Sequence, residues 1–121
     1  MANDFKSVSK ANIAIDSGTY STMYTALLSK ETILLEIDIA NTHATDDITV
    51  DIKLNKNSGG TGGTDDVFLV KGAPVPQGGA LKAISGQKIV MEGTATGLDT
   101  ITVAASVASA ADCIVSLLED V

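Results

Sequence analysis

The strongest constraint in this sequence is a period of two. In four separate stretches apolar and polar residues alternate, so that every second side chain shares a face, as in a strand with one buried side. From Thr32 to Ala40, Ile33, Leu35, Ile37 and Ile39 are expected on one face, with Glu36 and Asp38 on the other. From Ile48 to Leu54, Ile48, Val50, Ile52 and Leu54 alternate with Thr49, Asp51 and Lys53. From Thr100 to Val107 the apolar face is Ile101, Val103, Ala105 and Val107; from Asp112 to Leu118 it is Cys113, Val115 and Leu117. This last stretch also carries Ile114 and Leu118 on its other side, which puts it centrally in a sheet or at an interface.

Weaker strand signals fill the gaps. Thr19 to Thr25 offers Tyr20, Thr22 and Tyr24 on one side, and Val67 to Lys71 is a β-branched and aromatic run. Ala80–Ile84 and Lys88–Glu92 flank Ser85-Gly86-Gln87, which reads as a tight turn. Turn residues at 41–43, 55–64, 74–79 and 93–99 separate the other runs. The Ala-rich stretch 104–111 has no cap and no 3.6-residue stripe, so a helix is rejected there. About eight short strands with turns between them indicate a single antiparallel β-sandwich, jelly-roll-like or Ig-like.

A chain of 121 residues fits one domain, and no linker divides it. Residues 1–18 differ from the rest. Through residue 15 they carry Lys6 and Lys10 against Asp4, a balance of +1 that leaves −8 for the remainder of a chain at −7. This segment is expected to be an extended N-terminal arm docking on a neighbouring subunit, with Phe5, Val8, Ile13 and Ile15 as anchors, ahead of a sandwich over 19–121. A frayed terminus plus a first edge strand is the equal alternative.

Composition removes several functions. All 8 basic residues are lysine, and aromatic residues make up 3% of the chain. Without an arginine fork, a basic excess or stacking surface, nucleic-acid binding is excluded as an expectation. No apolar run at the N-terminus could form a signal-peptide core, and none approaches the roughly 18 residues of a membrane helix, so no membrane association is expected. One cysteine, Cys113, rules out a disulfide within the chain and fits synthesis in a reducing cytosol.

Candidate chemistry is thin. His43 is the only histidine and lies in a polar connection without local partners for catalysis or metal binding. Cys113 has no cationic neighbour and reads as an inert buried thiol. Gly59-Gly60-Thr61-Gly62-Gly63 lacks the closing Lys and Ser/Thr of a phosphate loop and is followed by Asp65-Asp66, so it reads as an exposed connection. Asp46-Asp47 and Asp65-Asp66 read as solvated loop-end pairs rather than Ca²⁺ ligands or an acid/base pair. No catalytic residue, cofactor site or metal site is assigned, and an enzyme is not expected. Pro74 and Pro76 cannot donate ladder hydrogen bonds, so Lys71–Gly79 is expected to leave the sheet as a rigid structural crossover.

Several segments together resemble small structural proteins of tailed phages, of the marine type. They are Phe68-Leu69-Val70-Lys71-Gly72-Ala73-Pro74-Val75-Pro76, then Gly79 and Leu81, Ile89-Val90-Met91-Glu92-Gly93, and a closing strand ending Leu117-Leu118-Glu119. Phe5-Lys6-Ser7-Val8, Ile13 and Tyr24-Thr25 are similar too, so the likeness covers most of the chain; the long Gly59–Gly63 insertion departs from it. The resemblance implies a virion component made in the host cytoplasm, decorating or cementing the capsid through the major capsid protein or other virion proteins. It implies a homo-oligomer, a trimer suiting threefold capsid positions. The alternatives are a neck, tail or baseplate component, or a receptor- or glycan-binding adhesin module.

Overall fold

Alternation closes into two four-stranded sheets. The computed structural model describes residues 3–57 and 65–120, and the Gly59–Gly63 run lies outside them. Eight strands are present among the described residues: β1 (Asn3–Lys10), β2 (Ser21–Thr25), β3 (Glu31–Asn41), β4 (Ile48–Asn55), β5 (Val67–Val75), β6 (Ala80–Glu92), β7 (Thr100–Ala105) and β8 (Ala111–Asp120). One sheet has the order β1-β8-β3-β6 and the other β2-β7-β4-β5. Every ladder is antiparallel. Successive strands change sheet at each connection except β4 to β5, so chain-distant strands become neighbours. Two interlocked Greek keys of this kind make a jelly roll, the first of the two sandwich types expected.

The inner faces meet in a core of Ile, Val, Leu, Met and Ala, with Leu34, Ile37, Ile52, Met91, Ile101, Val103, Val115 and Leu117 fully buried. These small aliphatic side chains interdigitate between sheets without needing aromatic bulk. β4 follows the expected alternation, with Ile48, Val50, Ile52 and Leu54 inside. β8 is central, between β1 and β3, as its two apolar faces required.

Bulges rewrite the alternation elsewhere. On β3 the register against β8 slips between Leu34 and Glu36, so Leu35 is one residue too many. Thr32 and Leu34 therefore face the core before the bulge, and Ile37 and Ile39 after it. Ile33 and Leu35, expected beside Ile37 and Ile39, are only half-buried and lie on the opposite, outward face. On β2 a slip between Thr22 and Tyr24 separates two tyrosines expected on one side. Tyr20 bonds Asp51 on the outer side of its sheet, while Tyr24 bonds Thr32 and Glu119 of the other sheet.

Three further expectations change. The turn at Ser85-Gly86-Gln87 is absent: β6 runs unbroken from Ala80 to Glu92, and both halves pair with β3 around an irregularity that absorbs the extra residues. β5 continues through Pro74, which is the register partner of Thr49, to the buried Val75. An edge strand tolerates this because its outward N–H groups need no ladder partner. Pro76 then opens a turn in which the Gly79 N–H donates to the Pro76 carbonyl at 2.9 Å and Gly78 sits at φ 74°. A positive φ at that third position is the glycine requirement of a type II turn, and this turn carries the chain from one sheet to the other. The strand expected to reach Val107 ends at Ala105, and the chain turns through Ser109 at φ 57°.

Residues 3–18, expected as an arm ahead of the sandwich, run within it. Asn3 to Lys10 pair residue by residue with Asp120 to Cys113. Ile13 is 1% exposed in the core, and its N–H donates to Ala111 at 2.9 Å. The arrangement is the edge-strand alternative, anchored intramolecularly: closing the sheet over β8 satisfies one side of that strand's backbone.

Candidate functional site

The buried charged groups have partners that alternation alone cannot supply. Asp51 on β4 is 3% exposed. Its Oδ2 accepts from the Tyr20 hydroxyl at 2.7 Å and from Lys71 Nζ at 3.3 Å, and its Oδ1 accepts from the Gly72 N–H at 2.7 Å. Burial by itself pushes this carboxyl up, but the three hydrogen bonds and the Lys71 charge outweigh it, and the net shift is downward. The same pairing raises the Tyr20 hydroxyl to about 12. Phe68 packs 6.5 Å from Tyr20, with Lys71 Nζ 4.6 Å above its ring and Lys53 Nζ 5.5 Å away.

Glu119 on β8, 2% exposed, closes one end of the sandwich. Lys6 of β1 pairs with its Oε1 at 2.7 Å, and the Tyr24 hydroxyl of β2 reaches both its Oε2 and Thr32 Oγ1 of β3. The Lys6 hydrogen bond is the largest of the influences that hold Glu119 below the usual carboxylate range. Tyr24 is pushed up to about 12, first by burial and then by Glu119. Asp99, fully buried, accepts from Lys56 Nζ at 2.8 Å, the Asn57 N–H at 2.9 Å and the Glu92 N–H at 3.1 Å. All three carboxylates tie strands and loops together; they are structural joints.

The residues singled out from sequence lie apart. His43 Nδ1 accepts from the Thr45 and Asp46 N–H groups at 3.2 and 3.0 Å, so the ring organises its own loop. Asp47 caps the Gln77 N–H at 2.8 Å, and Asp66 caps the Lys56 N–H at 2.9 Å. Cys113 is buried, and its thiol is pushed up to about 12 by burial and then by Asp38. No group of three or more His, Cys, Asp or Glu side chains converges among the described residues. Of the four arm residues, Ile13 is in the core, Val8 packs half-buried against it, Ile15 is 37% exposed and bridges Ala105, and Phe5 is 79% exposed.

Phe5 leads to a surface that sequence could not reveal. It is the register partner of Leu118, Leu118 that of Ile33, and Ile33 that of Val90. Register partners share a face, so these four side chains form one apolar row across all four strands of the β1-β8-β3-β6 sheet, on its outer side. Phe5 and Val90 are exposed and the two between them half-buried. The outer side of the other sheet is more polar: Thr22, Thr49, Asp51, Lys53, Thr100 and Thr102 lie on it, with the Tyr20–Phe68 pair beside Asp51 and Lys53.

No protein-family model and no curated protein matches this sequence. Solved structures do match in fold. A chain of the T13 particle of infectious bursal disease virus overlays 97% of this chain on 30% of its own, at TM-score 0.56 and 8% identity. VP2 from the subviral particle of the same virus overlays 97% on 32%, at 0.51 and 12% identity. A chain from the disulfide-linked pili of Bacillus endospore appendages overlays more loosely, 98% on 85% at 0.45 and 14% identity. At these identities the likeness is one of fold, and this chain spans about a third of the length of the viral chains.

Proposed function

We propose that this chain is a non-enzymatic structural subunit of a virus particle of the tailed-phage kind, decorating or cementing the capsid through the major capsid protein. The observation that carries this reading is the strand order, a complete jelly roll overlaying 97% of the chain on a viral particle chain. The resemblance of its strand and turn segments to phage structural proteins points the same way. The buried carboxylates agree with it, since each is consumed by bonds that brace the sandwich.

In this reading the mechanism is adhesive. A braced sandwich sits where capsid subunits meet, and residues 1–18 present Phe5 toward them while Ile13 holds the segment to its own domain. Each copy binds modestly, and repetition over a lattice compounds the effect. Closed symmetry makes a trimer at threefold positions the natural oligomer.

The test is the copy number of this chain in purified particles, measured by quantitative mass spectrometry against the major capsid protein. A number in the hundreds is expected. Six or twelve copies would move the protein to the neck or tail, and absence from particles would overturn a virion role.

A further inference from the structure

The outer side of the β1-β8-β3-β6 sheet is ill-suited to water. Phe5, Leu118, Ile33 and Val90 lie in one row, and Leu35, turned outward by the β3 bulge, extends it. Scattered apolar residues on a surface are ordinary, but a contiguous row across a whole sheet marks a contact surface. The opposite outer face is built differently: threonine prevails, its large apolar group Phe68 sits under Lys71 and Lys53, and its one buried acid is fully hydrogen-bonded.

Charge around the row specifies what covers it. Glu31 and Glu92 are register partners on β3 and β6, one step from Ile33 and Val90, and like charges directly opposite each other repel. On the other side of the row the Asp38 carboxyl raises the proton affinity of Glu36, which by holding a proton could donate it to Asp38. Lys82 answers only in part, 3.9 Å from Glu36. Asp38 Oδ1 is shielded from solvent and accepts no hydrogen bond among the described residues. The row is thus flanked by Glu31 and Glu92 on one side and, on the other, by Glu36 and Asp38 beside Lys82 and the exposed Ile114. A second copy meeting this face symmetrically would set the same acids against themselves.

We propose that this face docks a partner protein presenting an apolar ridge bordered by lysine or arginine. Phe5, Leu118, Ile33 and Val90 would take the ridge, while Glu31, Glu92, Glu36 and Asp38 would take the cations. The proposal rests on the assembly reading above for the partner being a virion protein, and on the surface alone for its chemistry.

Two arms keep those apart. In the first, purified chain is added back to particles lacking it. Binding by the native chain, with a tenfold or greater loss in V90K and in the charge reversal E31K/E92K, is expected, each variant first shown to melt like the native chain. Normal binding by both variants overturns the proposal. Loss in V90K alone overturns the basic border, and no binding by the native chain overturns the assembly reading instead. In the second arm the isolated chain is titrated with a synthetic alternating Leu-Lys peptide and followed by NMR. Saturable shifts confined to this face, absent with an all-Lys peptide and absent in V90K, are expected. Shifts spread over both faces, or none, overturn the surface chemistry whatever the particles show. A chain that self-associates through this face, and becomes monomeric as V90K, overturns it too.

Discussion

Glu119 shows how a single buried charge is made tolerable. An isolated carboxylate between two sheets would be costly, so Lys6 and Tyr24 supply donors from two other strands. Its proton affinity is thereby lowered, as is that of Asp51. A carboxyl whose folded pKa is depressed stabilises the fold at pH above its unfolded value, about 4, and loses that contribution as pH falls through the folded value. Thermal midpoints should therefore drop below about pH 4. Tyr24→Phe should cost about 1–2 kcal/mol at neutral pH, and the difference should shrink in acid once Glu119 is protonated. A constant difference across pH would mean that Tyr24 acts through packing alone. Glu36 works in the opposite direction: its proton affinity is raised, mainly by Asp38, so its charge disfavours the fold above its folded pKa. Glu36→Gln should raise the melting temperature at neutral pH, and a lowered one would show that Lys82 compensates in full. Cys113 adds a simple check on burial. With its thiol near 12, maleimide should label it only as fast as the protein unfolds, and rapid labelling of the native chain would contradict the burial.

At the scale of the element, β3 explains both what the sequence disclosed and what it hid. Strands β4 and β8 were legible because their alternation is regular: β4 has a plainly polar side, and β8 sets Cys113, Val115 and Leu117 against a side interrupted by Asp112 and Ser116. On β3, Ile33, Leu34 and Leu35 are all apolar, so either parity fits until Ile37, and a one-residue bulge leaves no compositional mark. β6 misleads for a related reason: Ser85-Gly86-Gln87 has the composition of a turn, yet pairing with β3 on both sides of it outweighs local preference. The buried carboxylates were illegible because their partners lie far off in sequence, Tyr24 and Lys6 for Glu119 and Lys56 for Asp99. The bulge makes a prediction that separates parity from length. Removing Leu35 leaves Leu34 inward, Glu36 outward and Ile37 inward, an unbroken alternation. Removing Asp38 instead places Ile39 and Asn41 on the outer face. The Leu35 deletion should retain a cooperative melt at a cost of about 1–3 kcal/mol, whereas the Asp38 deletion should abolish it. Equal behaviour of the two by circular dichroism would mean that the bulge does not set the register.

For the whole molecule, the strand order decides what the N-terminal residues are. Because β1 covers one flank of β8, and β8 joins β3 at the centre of the sheet, Asn3–Lys10 complete a layer. They also bring Lys6 to Glu119, and the chain just beyond them brings Ile13 into the core. Lys6, Val8 and Lys10 share the inward side of this edge strand, and inward-pointing charge on an edge discourages pairing with a stray strand. Phe5, on the outward side, begins the apolar row. One short segment thus closes the sheet, guards its edge and starts its outer apolar row, which a detachable arm could not do. Deleting residues 1–10 should consequently unfold or aggregate the protein, since it uncovers the β8 edge and strips Glu119 of its cation. Phe5→Ser should leave the melting temperature within about 1 °C, because the side chain is 79% exposed, while weakening attachment to particles. A deletion that melts like the native chain would make residues 1–10 an independent arm after all, and a Phe5→Ser protein that attaches normally would remove Phe5 from the contact.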